Sequence, residues 1–185
     1  MNRPMYDFSA PTFTLMLGNL AHCFDKAADY AKSKGLDPDA YVEARLAPDM
    51  FTLKQQVFVA CIQVKDVMAV LTGKTEERPG ENPDKTLADL KARIADTIAI
   101  VAAAEPEDFK DAEKRAISLP LFGTKALVTD GLTMLRDWTL PHFYFAVVTA
   151  YDILRHEGVP LGKPDYMTHI GPLIVDMGET ADTAA

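Results

Sequence analysis

Among the side chains able to do chemistry in this chain of 185 residues, His142 comes first. It lies in Trp138 to His156, WTLPHFYFAVVTAYDILRH, a helix-type stretch that carries two of the four histidines and is expected to line the interior of a helical bundle. Polar groups pointing into a bundle are where a metal or substrate site is built. Zn–N bonds are only about 2.0–2.1 Å, so ligands on one helix must be spaced by three or four residues to meet on one face. His142 and His156 are separated by roughly 21 Å along a helix at 1.5 Å per residue, too far to share an ion. His22 falls outside the main apolar stripe of the first predicted helix, and His169 sits in the C-terminal tail.

Other donors could complete a site around His142. Tyr144, Thr149 and Asp152 are on the same helix, and Gln56, Cys61 and Gln63 are on the second predicted helix. One reading is a divalent cation, zinc or nickel, held by His142 with these donors. The other is that His142 hydrogen-bonds backbone groups disturbed by Pro141, which removes a helical N–H and crowds the carbonyl four residues before it. Tyr144 and Tyr151 offer hydroxyls to a cavity or rings to the core. Cys61 is nucleophilic only with a base and some exposure; on a buried stripe it reads as an inert thiol. His156, beside Arg155, suits a helix C-terminus, where the dipole favours cations, and Asp152 one turn earlier is a natural partner. Arg45 and Asp49 read as an ion pair at the entrance of the second helix. No glycine-rich phosphate loop, Cys-x-x-Cys pair, His-Glu-x-x-His or Gly-x-Ser-x-Gly sequence is present, which disfavours the common nucleotide, zinc-protease and serine-hydrolase classes.

The elements that position these residues are mostly helices. The first starts at Ser9-Ala10-Pro11, with Ser9 as cap, and repeats Phe13, Leu17, Leu20, Phe24, Ala27 and Ala31 at helical spacing until Lys34-Gly35. A short turn begins at Asp37-Pro38-Asp39. The second helix has Pro48 and Asp49 in its first turn, a stripe from Met50 through Val57, Ala60 and Val64 to Leu71, and a stop at Thr72-Gly73. Lys74 to Pro83 reads as an exposed loop. Asp84 is expected to cap the third helix, whose face is Leu87, Leu90, Ile94, Ile98 and Val101. The period then changes: Arg115 to Leu121 and Thr124 to Thr129, around Phe122-Gly123, predict a small hairpin whose first strand Pro120 confines to an edge. The fourth helix runs from Asp130 through a kink or break at Pro141 to His156. The tail from Val159 to Ala185 reads as a partly irregular arm, with one apolar patch at Pro172 to Val175 and a fraying end from Glu179.

Length and composition bound the rest. The chain is expected to form a single domain over residues 1–185. Its formal charge of −8 argues against nucleic-acid binding. No run of about 18 apolar residues predicts a membrane span, the N-terminus lacks a secretory pattern, and Cys23 and Cys61 read as buried free thiols. A cytoplasmic protein is expected.

Three stretches carry a family resemblance. ARLAPDMFTLKQQVFVAC (Ala44 to Cys61), SLPLFG (Ser118 to Gly123) and LPHFYFAVVTAYDILRHEGVPLGK (Leu140 to Lys163) resemble domain-of-unknown-function family 1993, close to the DinB/YfiT-like metalloenzymes. The resemblance implies an all-α, four-helix bundle of the up-down-down-up type with a small hairpin between helices 3 and 4, commonly homodimeric. It also implies a divalent metal held by a histidine on the second helix and a His-x-x-x-His pair on the last, and, in some relatives, thiol-dependent transferase or isomerase activity. His142 matches the first position of that pair. The fourth following residue is Ala146, and the second helix has no histidine, offering Gln56, Cys61 and Gln63. Two of three ligands are therefore absent, and no resident cofactor is expected. Two main readings follow. One is a DinB-like bundle with a degenerate metal site that binds a small molecule in its central cavity or acts through its dimer surface. The other is a divalent-metal-dependent hydrolase or thiol transferase using His142. A weaker third is a stress-related scaffold with no small ligand.

Overall fold

The computed structural model describes residues 4–74, 82–120 and 126–175. The turn expected at Phe122-Gly123, most of the loop after Lys74 and the fraying end from Glu179 lie outside these residues. A single turn, α1 (Pro4–Asp7), leads into α2 (Ala10–Lys34). α2 ends as its sequence requires: Gly35 takes a left-handed φ of 67°, and Leu36 N–H reaches back to the Ala31 carbonyl at 2.9 Å. Ser9 does not cap it. Because α1 precedes it, the Ser9 hydroxyl donates backwards to the Met5 carbonyl instead.

A 3₁₀ turn (Pro38–Glu43) connects to α3 (Leu53–Thr72), which begins later than Pro48 and Asp49 suggest. Thr52 is the boundary residue, its N–H donating to Gln55 Oε1 at 2.8 Å. Arg45 is not paired with Asp49; its guanidinium donates to the Pro48 carbonyl at 3.3 Å. α4 (Leu87–Ala102) is capped not by Asp84 but by Thr86, whose hydroxyl accepts from Asp89 N–H at 3.0 Å while Asp89 Oδ2 accepts from Thr86 N–H at 2.9 Å. Asp84 is freed to make a bidentate pair with Arg93 on α4.

The hairpin follows as β1 (Ala116–Pro120) and β2 (Ala126–Asp130), antiparallel with Ala116 opposite Asp130 and Pro120 opposite Ala126. In a two-stranded ribbon every strand is an edge, which is why Pro120 is tolerated. Asp130 then caps α5 (Gly131–Thr133), accepting from Thr133 N–H at 2.7 Å. The chain continues through a π-helical turn (Met134–Thr139) into α6 (Leu140–His156). A last turn, α7 (Lys163–Tyr166), and a 3₁₀ segment (Thr168–Leu173) form the C-terminal arm.

The four long helices close around one core. α3 packs on α6 and α4, and α2 packs on α4 and α6. Phe13, Phe24 and Phe143 are fully buried there with Leu17, Leu53, Val57, Val64, Leu90 and Ile153. The edge of the Phe13 ring meets Phe143 at 5.1 Å, joining α2 to α6. Among the described residues no helix is long and apolar enough to cross a membrane.

Candidate functional site

His142 reaches its position through the backbone irregularity before it. Leu140 N–H bonds the Leu135 carbonyl, five residues back, and Pro141 contributes no N–H at all. The imidazole turns back along the helix: Nδ1 lies 2.8 Å from the Trp138 carbonyl, one turn before it, and the ring sits 4.3 Å from the Trp138 ring. A carbonyl only accepts, so Nδ1 carries the proton and Nε2 keeps the lone pair. The side chain is exposed and does not line the bundle interior.

The other sequence candidates do not gather around it. Cys61 is buried on α3, with Thr97, Arg93, Lys65 and Asp84 as its polar neighbours, all on the α3–α4 side. Burial pushes its thiol up to about 11, an effect that Thr97, Arg93 and Lys65 only partly offset. Cys23 is pushed to about 12, by burial first and then by the charge of Asp165. Gln56 is buried on α3, and Gln63 has a buried Oε1 without a hydrogen-bond partner among the described residues. Asp152 and His156 are both exposed and do not pair. Tyr151 turns towards α7, its ring meeting Tyr166 edge-on at 5.9 Å, while Tyr144 is partly exposed beside Phe143. Burial raises the Tyr144 hydroxyl, and burial followed by the Tyr144 charge raises that of Tyr166.

The residues present do not fit the metal site implied by the resemblance. Ala146, where the second histidine of the pair would stand, is 1% exposed within the core and has no donor. His142 offers a single solvent-facing nitrogen. Among the described residues no group of three or more His, Cys, Asp or Glu side chains is placed to hold an ion. A concavity of about 330 Å³ does exist, but between the C-terminal turns of α3 and α4, lined by Met68, Ala69, Thr72, Ile100, Ala103 and others, rather than at the bundle's centre.

Sequence reasoning missed a polar cluster joining α2 to the arm. Asn19 Nδ2 donates to the Tyr166 carbonyl and approaches His169 Nδ1, both at 2.8 Å, and Thr168 donates to Asn19 Oδ1. Lys26 and His22 reach Asp165 Oδ1 at 2.8 and 3.3 Å. Burial pushes the Asp165 carboxyl up, yet hydrogen bonds from Lys26, Gly162 N–H and His22 outweigh it and hold the group below its usual range. The signal was present in the spacing: Asn19, His22, Cys23 and Lys26 recur at three- and four-residue steps beside the apolar stripe. The partner segment, 139 or more residues away, was not legible.

A long-helix core with a short hairpin between its third and fourth members defines a DinB-like helical fold. The crystal structure of a DinB family member protein from Shewanella denitrificans is similar to it, with 39% identity, 88% of this chain and 90% of that chain covered, and a TM-score of 0.79. The chain belongs to the DUF1993 family, whose model, described as a domain of unknown function, matches residues 5–167. No curated protein matches it.

Proposed function

We propose that this DUF1993 member is a homodimer that works through a protein interface on α6, a DinB-like framework whose metal position has been eroded. The observation that carries this reading is the division of labour along α6. The helix buries Ala146, where a ligand histidine would be needed, and turns Tyr144, Phe145 and Val148 outward, 37%, 63% and 39% exposed. These three fall within little more than one turn, so their rings and methyls form one apolar face, the kind of surface that a second subunit covers. Both cysteines are free and buried, which suits a reducing compartment such as the cytoplasm.

Size-exclusion chromatography with light scattering tests the interface. The protein is expected to run as a dimer at micromolar concentration, and Phe145→Glu to run as a folded monomer, because the exposed position tolerates the charge. A wild-type monomer overturns the proposal. The competing metal-dependent hydrolase or thiol transferase reading requires donors beside His142 that α3 and α6 do not supply. Near-stoichiometric metal in untagged protein after incubation with zinc, nickel or manganese would reinstate it.

A further inference from the structure

The C-terminal arm is fastened to α2 by two clamps of different chemistry. In the first, Asn19 is 2% exposed and makes three polar contacts with the arm. The Tyr166 carbonyl can only accept, so the amide atom facing it must be the nitrogen. The remaining N–H of that nitrogen points at His169, 2.8 Å away, so His169 Nδ1 is the acceptor and its ring proton is on Nε2. Proton uptake at Nδ1 would place two donors face to face at that distance. The His169 ring is partly exposed, so solvent protons reach it.

In the second clamp Asp165 Oδ1 accepts from Lys26 and His22, and Oδ2 accepts from Gly162 N–H at 2.7 Å. Of the titratable and charged groups on the elements packed against the His169 segment, His22, Cys23 and Lys26 of α2 reach the arm, and Lys163, Asp165 and Tyr166 lie on α7. Proton uptake by His22 strengthens its bond to the Asp165 carboxylate. Mild acid therefore opposes the first clamp and supports the second.

We infer that the arm is an acid-sensitive strap with a hinge between Asp165 and Thr168: protonation of His169 releases residues 168–175 from α2, while α7 stays seated. The released stretch carries Leu173, Ile174 and Val175, 73%, 73% and 54% exposed, so the strap governs where this apolar tip is held.

Hydrogen exchange read by mass spectrometry on the full chain, corrected for intrinsic rates, tests this between pH 7.5 and pH 5.5, across which ordinary imidazole titrates. Protection of residues 168–175 is expected to fall about fivefold on acidification, the worth of one hydrogen bond, with α7 and α2 unchanged. In His169→Gln the side-chain carbonyl accepts at either pH, and the difference is expected to vanish. In Asn19→Asp the carboxylate accepts from protonated His169, and protection should be greater at pH 5.5 than at pH 7.5. Equal wild-type protection at both pH values, an undiminished pH effect in His169→Gln, or joint loss of α7 and the arm would each overturn the inference. Should Asn19→Asp fail to fold, the comparison of wild type with His169→Gln decides.

Discussion

The orientation of His142 is fixed by Trp138, one turn before it. The imidazole takes the Trp138 oxygen and its ring lies against the indole. Replacing Ala146 by histidine would restore the His-x-x-x-His spacing, but at a position that is 1% exposed in a filled core. Ala146→His is expected to lose about 1–3 kcal/mol of stability through overpacking, with metal content staying far below one ion per chain by elemental analysis. Tight, stoichiometric binding would show instead that the ligand geometry survives. The thiols make a second prediction at this scale. With Cys61 held at about 11 and Cys23 at about 12, a thiolate is scarcely populated at neutral pH, and both residues are 1% exposed. Ellman's reagent at pH 7.5 is expected to label neither thiol within minutes in the native protein and both at once in denaturant. Rapid native labelling would count in favour of thiol chemistry.

Elements begin and end here by local hydrogen bonding that competes with sequence punctuation. Thr86 and Asp89 close a reciprocal box at the start of α4, with Lys85 N–H also on Asp89 Oδ2. Those bonds, the one from Lys85 foremost, hold the Asp89 carboxyl below its usual range. Thr86→Ala is expected to cost about 1 kcal/mol in denaturant unfolding, whereas a cap at Asp84 would have predicted no effect. Asp84 is instead tied to Arg93, which also stacks on Phe58 at 4.9 Å, so it fixes the loop end against α4. The return from the hairpin depends on Gly131. A Cβ there would lie 1.9 Å from the Ala112 carbonyl oxygen, a contact with backbone that cannot step aside. Gly131→Ala is expected to destabilise by about 3 kcal/mol or more, measured as a lower denaturation midpoint. A neutral result would mean that the hairpin does not seat against this turn.

For the whole molecule, the arm couples stability to acidity through Asp165. The folded-state carboxyl of Asp165 is lowered, so its contribution is fully present above the ordinary carboxylate value of 3.8 and is lost as pH falls below it through the lowered value. Asp165→Asn is therefore expected to lower stability by about 1–2 kcal/mol at pH 7 and to flatten the fall of midpoint as pH drops below the ordinary carboxylate value. The strap proposed at His169 is a separate linkage, read by hydrogen exchange rather than by the acid midpoint. Unchanged acid sensitivity in Asp165→Asn would place the proton linkage elsewhere. Much of the architecture was legible in the chain itself. The three- and four-residue stripes of Phe13 to Ala31, Val57 to Leu71 and Leu87 to Val101 specify helices because burying one face of a helix requires that period. Gly35, Gly73 and Asp130 mark their own boundaries by backbone conformation and side-chain reach. The absence of histidine from the second helix and of a partner at Ala146 was equally plain. Only the tertiary structure decided which way His142 faces, because a π-helical turn adds a residue and offsets everything after it by about 100°. It alone also brought Asp165, Thr168 and His169 onto Asn19, since contacts across some 150 residues depend on how the core packs and leave no trace in local periodicity.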